Sequence, residues 1–276
     1  MSSSEHWITV DGARMRYLCA GTGPPLVLLH GLVAYSFSWR LVMPKLAQHF
    51  TVYALDMPGS GFSDCSPNMK SDLHSNAERF LRVLDALQLP SCDLVATSYG
   101  GAEAMVAASS APGRFSRLVL VAPVNPWSAH GRRIAPFLSN SLIAPLFLRL
   151  YPFLQAAQGH FIRRVFGGEH SIPPDSIAGY SAILCRPGVL QHALQILRTW
   201  NADIRYLEKI LPNIRHIPVL LIWGKQDGAV YLSSAPKLRE NFQRSELVTF
   251  DGVGHLPYEE APNEFAKAML KFLCGK

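Results

Sequence analysis

CDLVATSYGGAEAM, residues 92–105, sets a serine between two runs that ask for different backbones. Leu94-Val95-Ala96 is a short apolar run of strand type, whereas Gly100-Gly101-Ala102 opens a run of small residues that reads as a helix. Ser98 therefore stands at a sharp strand–turn–helix junction, where neighbouring backbones crowd and small side chains are needed on both sides. Gly100 meets that need two residues after the serine. Two residues before it stands Ala96, one methyl group larger than glycine, which such a turn admits where a valine would block it.

The sequence around this junction alternates between strand and helix patterns. HWITV and RMRYLCA flank Asp11-Gly12 and read as an antiparallel hairpin. PLVLLH (25–30), TVYAL (51–55) and RLVLVAP (117–123) are the continuous apolar runs expected of strands buried on both faces. Helical patterns separate them at SFSWRLVMPKLAQHF (36–50), at 72–89 and from about Tyr99 to Ser110. After residue 124 the alternation stops, and 125–205 is mostly helical in pattern. It resumes with IPVLLIWG (217–224), a helix near 233–242, SELVTF (245–250) and a helix over 260–273. This pattern predicts an α/β fold: a mostly parallel sheet of about eight strands flanked by helices. Residues 1–124 and 203–276 form its core, and 125–202 a helical insertion.

At 276 residues, 49% hydrophobic and 17% charged, the chain has the composition of a globular protein with a large core. The start MSSSEHWITV lacks the basic and apolar stretches of a signal peptide, and the five scattered cysteines fit free thiols in a cytoplasmic protein. Neither cysteines nor histidines show metal-ligand spacing, so no metal is expected. Of the net charge of +6, most lies between Asn125 and Trp200, which hold seven arginines, no lysine and two acids. No nucleic-acid motif accompanies that charge, and it reads as a solvated basic face. Arg149 and two prolines break the most apolar stretch, PFLSNSLIAPLFLRLYPFLQAA, so no membrane span is expected. PLFLRLYPFL (145–154) is expected to pack on the core, with the site or a lipid-like surface as alternatives.

In a parallel sheet, chemistry gathers beyond the carboxyl ends of the strands. Four such ends carry suggestive residues: His30-Gly31-Leu32, Ser98, Asp227 and His255. A serine hydroxyl needs an imidazole to take its proton and a carboxylate to orient that imidazole, and the order serine, acid, histidine suits this topology. Singly, each has a bland reading as a turn serine, a capping aspartate or a surface histidine; jointly they read as a triad.

With these motifs in place the chain resembles the α/β-hydrolase superfamily, in its serine-nucleophile branch with a helical lid. The likeness covers 7–123 and 203–274 and rests on LLHGL (28–32), LDMPGSGFSD (55–64), LLIWGKQD (220–227) and GVGHLPYEEAP (252–262) beside the serine turn. The resemblance implies Ser98 as nucleophile, His255 as general base and acid, and Asp227 as orienting carboxylate. It implies an oxyanion hole of the backbone N–H groups of Leu32 and Tyr99, with His30, Gly31 and Gly100 supporting the motif. Asp56, Glu260 and Pro262 match structural positions. Epoxide hydrolases and haloalkane dehalogenases of the superfamily use an aspartate nucleophile, which Ser98 disfavours. Carbon–carbon bond hydrolases usually have a glycine-rich segment after His-Gly and often a tryptophan after the histidine; here stand HGLVAY and Leu256. GAVYL, after Asp227, lacks the proline often found there.

The resulting expectation is a cofactor-free serine hydrolase acting on a small-molecule ester of a hydrophobic small-to-medium substrate. A carbon–carbon hydrolase on the same triad and a non-catalytic small-molecule receptor are the alternatives. No nucleic-acid partner is expected, a weak interfacial contact through the lid is allowed for, and the oligomeric state is left open.

Overall fold

The computed structural model describes residues 3–66, 69–129, 131, 132, 134–154, 158–168 and 171–275. Eight strands form one sheet: β1 (Ser4–Val10), β2 (Ala13–Ala20), β3 (Pro25–Leu29), β4 (Thr51–Leu55), β5 (Cys92–Thr97), β6 (Phe115–Val121), β7 (Val219–Gly224) and β8 (Ser245–Phe250). Their order is β1-β2-β4-β3-β5-β6-β7-β8. The hairpin β1–β2 is antiparallel and β2 joins β4 antiparallel; every other pairing is parallel. At the hairpin turn both Asp11 and Gly12 have positive φ, as a two-residue turn matched to strand twist requires.

The continuous apolar strands divide their side chains between two cores. Val27, Leu29, Leu94, Ala96, Leu118, Leu120 and Leu221 point to one, and Leu26, Leu28, Val95, Val119 and Ile222 to the other. Successive residues of a strand face opposite sides, so a sheet covered on both faces needs an apolar residue at every position. Truncating one of these fully buried leucines to alanine costs about 2–5 kcal/mol. On the first face pack α2 (Leu73–Ala86) and α3 (Ser98–Ser110); on the second packs α11 (Pro262–Cys274). The Asp72 side chain caps α2 by accepting from the Ser75 N–H at 2.9 Å.

Residues 36–50 depart from the single helix their pattern suggests. A 3-10 turn, Ser36–Trp39, and the one-turn α1, Met43–Leu46, stand there instead. Pro44 lies in the first turn of α1, where its missing N–H is harmless, and cannot extend an earlier ladder. Prolines also split the later helices. α9 (Ala235–Arg239) has Pro236 in its first turn, and the short α10 (Pro257–Glu260) is separated from α11.

Between β6 and β7 run α4 (Ile134–Leu138), α5 (Ile143–Leu154), α6 (Gln158–Arg163), α7 (Ser176–Leu184) and α8 (Val189–Ile210). The expected boundary at 202 falls inside α8, whose buried face includes Ala193, Ile196, Trp200, Ile204 and Leu207. One tie from this insertion to the core is ionic. Arg40 holds Asp175 with two bonds of 2.8 Å and also donates to Glu259, whose carboxylate accepts from Ser176 and Tyr180 of α7. The stretch 145–154 does not lie wholly on the core as expected. α5 carries apolar residues on more than one side, and only some of them pack: Ala144 is buried, whereas Leu146, Leu150 and Phe153 are exposed. No described helix is long and apolar enough to cross a membrane.

Candidate active site

Parallel pairing of β3, β5, β6, β7 and β8 brings the loops bearing His30, Ser98, Asp227 and His255 to one end of the sheet. Ser98 is the first residue of α3 and directly follows β5. Its φ is +53°, a left-handed conformation that non-glycine residues adopt at a cost of about 1–3 kcal/mol. That strain is held by close packing around it. A Cβ on Gly100 would lie 2.2 Å from the His30 carbonyl oxygen, and one on Gly31 would lie 3.0 Å from Ser98 Cβ. A methyl on Gly100 thus meets backbone, whereas one on Gly31 makes a tight contact that asks Ser98 to yield by a few tenths of an ångström. Ala96, by contrast, sits within β5 with its methyl in the core, paired beside Leu29 and Leu120.

Asp227 and His255 meet beyond the ends of β7 and β8. His255 Nδ1 donates to Asp227 Oδ2 at 2.8 Å, and both side chains are buried. The other carboxylate oxygen, Oδ1, accepts the N–H groups of Ala229 and Val230 at 2.8 and 2.9 Å. Three donors thus fix the carboxylate without the proline expected in GAVYL, and the carboxylate fixes the ring with its proton on Nδ1. Nε2 is left as the acceptor nitrogen. Ser98 Oγ makes no hydrogen bond to a described residue, and the link from Ser98 to His255 is open.

The His255 loop is also clamped from a direction the sequence did not disclose. Glu260 Oε1 accepts the Gly254 N–H at 2.9 Å, while Oε2 accepts the Gly167 N–H and the Ser171 hydroxyl, each at 2.7 Å. His255 N–H itself donates to Val165 O at 2.7 Å. One carboxylate therefore joins the histidine loop to the helical insertion.

Leu32 lies in a turn closed by Ala34 N–H on Gly31 O, followed by Val33 at φ +50°. For a β-branched residue that conformation is an outlier, and no sequence pattern signalled it. Tyr99 N–H belongs to the first turn of α3, whose donors have no acceptor within the helix. The Tyr99 ring is stacked on Trp200 with centroids 5.9 Å apart, and its hydroxyl accepts from Asn76 Nδ2 at 3.0 Å. His30 supports the loop as a neutral ring: Nε2 accepts the Met57 N–H at 3.1 Å and Nδ1 donates to Gly31 O at 2.8 Å. The Asp56 carboxylate accepts from Ser36 N, Phe62 N and Arg16, which makes its loop a structural brace.

Behind Leu32 and Tyr99 is a cavity lined also by His30, Asn76, Arg79, Glu103 and His192. It leaves about 20 Å³ for the centres of water molecules, room for about one water. Its cation is Arg79 of α2, which donates to Asn76 Oδ1 and Lys70 O. No described arginine of the insertion lines it. Glu103 Oε1 has no hydrogen-bond partner, and burial pushes this carboxyl up to about 7 against the pull of Arg79. Burial, with Arg79 and His30 nearby, brings His192 down to about 4. Among the described residues no group of three or more His, Cys, Asp or Glu is placed to hold a metal ion.

A sequence profile described as "alpha/beta hydrolase fold" matches residues 24–262. The chain belongs to this family. The pimeloyl-[acyl-carrier protein] methyl ester esterase of Klebsiella pneumoniae is 31% identical over 249 residues, covering 89% of this chain and 91% of that one. The 2-hydroxy-6-oxo-2,4-heptadienoate hydrolase of Pseudomonas putida is 28% identical over 267 residues, covering 93% and 91%. Among solved structures, the epoxide hydrolase CorEH superposes with a TM-score of 0.87 over 99% of both chains at 23% identity, a likeness of fold. These relatives are thus named as a methyl ester esterase and a heptadienoate hydrolase, and the chain is itself a hydrolase by family.

Proposed function

We propose that the protein is a cofactor-free serine hydrolase that cleaves a carboxylic ester of a hydrophobic small-to-medium substrate through an acyl-enzyme on Ser98. The observation that carries this reading is the buried 2.8 Å bond between His255 and Asp227, at the same sheet end as a serine in left-handed conformation. Ser98 Oγ attacks the ester carbonyl while its proton passes to His255 Nε2, and Asp227 stabilises the imidazolium. The N–H groups of Leu32 and Tyr99 receive the oxyanion of the tetrahedral intermediate. Collapse expels the alcohol, which takes the proton from Nε2. Water then gives a proton to Nε2 and attacks the acyl carbon; the second collapse returns the proton to Ser98 and frees the acid. Residues 125–202 act in this reading as a lid over the site, tied to the histidine loop through Glu260. The Klebsiella pneumoniae relative, by name a methyl ester esterase, supports the ester as the scissile group.

A carbon–carbon hydrolase on the same triad is the second reading, favoured by the Pseudomonas putida relative. Leu256 in place of a tryptophan weighs against it. The buried bond between His255 and Asp227 weighs against a receptor reading. The test is a panel of p-nitrophenyl esters set against vinylogous diketone substrates, with Ser98→Ala as control. Ester turnover with a burst of p-nitrophenol, abolished in Ser98→Ala, is expected. Turnover of the diketones alone would install the second reading, and binding without turnover the receptor.

A further inference from the structure

We propose that the outer face of α4 and α5 is a docking surface for an anionic lipid bilayer. Ten large hydrophobic side chains are exposed among the described residues, and six of them fall within twenty positions: Ile134, Phe137, Leu142, Leu146, Leu150 and Phe153. The other four are scattered and form no such run. Leu142 and Phe153 are 82% and 83% exposed, so neither is a marginal core residue. Leu142, Leu146, Leu150 and Phe153 recur at spacings of four, four and three, which places them on one stripe of the helix and its leading turn. Monomeric proteins rarely leave so concentrated an apolar face to water without a partner.

The charge around the stripe selects the partner. Arg149 lies three residues after Leu146 and four before Phe153, on the edge of the same face, and is exposed. From Asn125 to Gly168 the sequence has five arginines, no lysine and no aspartate or glutamate. Apolar side chains exposed along one helix, with Arg149 at their edge and in a segment of sequence free of acids, match the acyl boundary and headgroups of an anionic bilayer. A second copy fits poorly. Two-fold pairing of identical patches would bring like-charged insertions together, with Arg149 of each on the edge of the contact. The proposal does not depend on the hydrolytic mechanism, because neither helix supplies a residue of the candidate site.

The test is co-sedimentation of the full chain with vesicles of phosphatidylcholine alone and of phosphatidylcholine mixed with phosphatidylglycerol, at low and high salt. Partitioning into the anionic vesicles is expected to exceed that into neutral ones by about tenfold at low salt, and to fall with salt. The double variant Leu142→Ser, Phe153→Ser should lose about tenfold or more of that binding, and Arg149→Glu about fivefold or more. All three positions are exposed, so an unchanged circular dichroism spectrum and urea midpoint confirm that the fold survives. Negligible binding to both vesicle types, or equal binding by the double variant, overturns the proposal. So does a dimer, seen by sedimentation velocity, that the double variant dissolves, since a second copy then covers the face.

Discussion

Replacing Asp227 with asparagine changes one atom and should remove most of the activity. The carboxylate accepts three hydrogen bonds: Ala229 and Val230 N–H on Oδ1, and His255 Nδ1 on Oδ2. Asparagine can accept only through its oxygen. If its NH₂ took the Oδ1 position, it would face two backbone donors at 2.8–2.9 Å in a site where the aspartate side chain has no exposed surface. The oxygen therefore stays with the two amides and the NH₂ faces His255. The ring must then accept at Nδ1 and carry its proton on Nε2, where it cannot take a proton from Ser98. Restoring the working tautomer means turning the amide and leaving two buried donors unpaired, at about 1–3 kcal/mol each. A total of about 2–6 kcal/mol lowers turnover by about 30-fold to about 10⁴-fold, since each 1.36 kcal/mol is tenfold. The same substitution in a serine-protease triad costs about 10⁴. Turnover of a p-nitrophenyl ester is the assay, with the urea midpoint as control, and that midpoint should scarcely move because volume and two backbone bonds are kept. Turnover within threefold of the parent, with the fold intact, would refute this account of the ring's orientation.

Other consequences follow from neighbouring contacts. Glu103 in the folded state keeps its proton up to about 7, above the ordinary 4.5, so its effect on stability is most favourable below pH 4.5 and declines as pH rises to 7. His192, lowered from 6.5 to about 4, acts oppositely, and stability rises with pH between those values. Glu103→Gln removes the decline alone; urea unfolding at pH 4.5 and 7 should show the variant gaining up to about 3 kcal/mol on the parent across that range, whereas a constant difference would discount the buried carboxyl. Gly100→Ala puts a methyl 2.2 Å from the His30 carbonyl, and backbone on both sides makes relief costly. A loss of about 1–3 kcal/mol or more in the urea midpoint is expected, and an unchanged midpoint would show that the turn is looser than described. Glu259→Ala removes the buried acceptor of Arg40, Ser176 and Tyr180 at the base of the insertion, while Arg40 keeps Asp175; about 1–3 kcal/mol should go, with faster proteolysis between β6 and β7, and a stable, resistant variant would contradict the tie.

Much of this architecture is legible in the chain because its signals are local. A strand buried on both faces announces itself as a continuous apolar run, as in PLVLL and VLLIWG, and Asp11-Gly12 specifies its own turn. The serine junction is legible because steric crowding dictates its neighbours: Gly100 is held against the His30 carbonyl, and Ala96 lies within the strand. Asp227 and His255 are legible as polar residues just past such strands. What escapes a linear reading is contact between distant positions. Asn76 and Arg79 interrupt the buried face of α2 as polar residues, and only the fold shows that they serve Tyr99 and the cavity behind it. Ser71 meets His192 across 121 positions, and Arg40 meets Glu259 across 219. The apolar spacing of 36–50 masked the break at Pro44 between two short turns. In α5 apolar residues on more than one side concealed which would pack, because composition alone does not choose the face.

The central claim is that Ser98 is activated by His255 held on Asp227. Its most direct test is the reaction of the purified protein with a fluorophosphonate, followed by mass spectrometry of the labelled peptide. One equivalent of phosphonyl group on Ser98 is predicted, with labelling slowed by orders of magnitude in His255→Ala. Label on another residue, or labelling at an unchanged rate without the imidazole, would contradict the account.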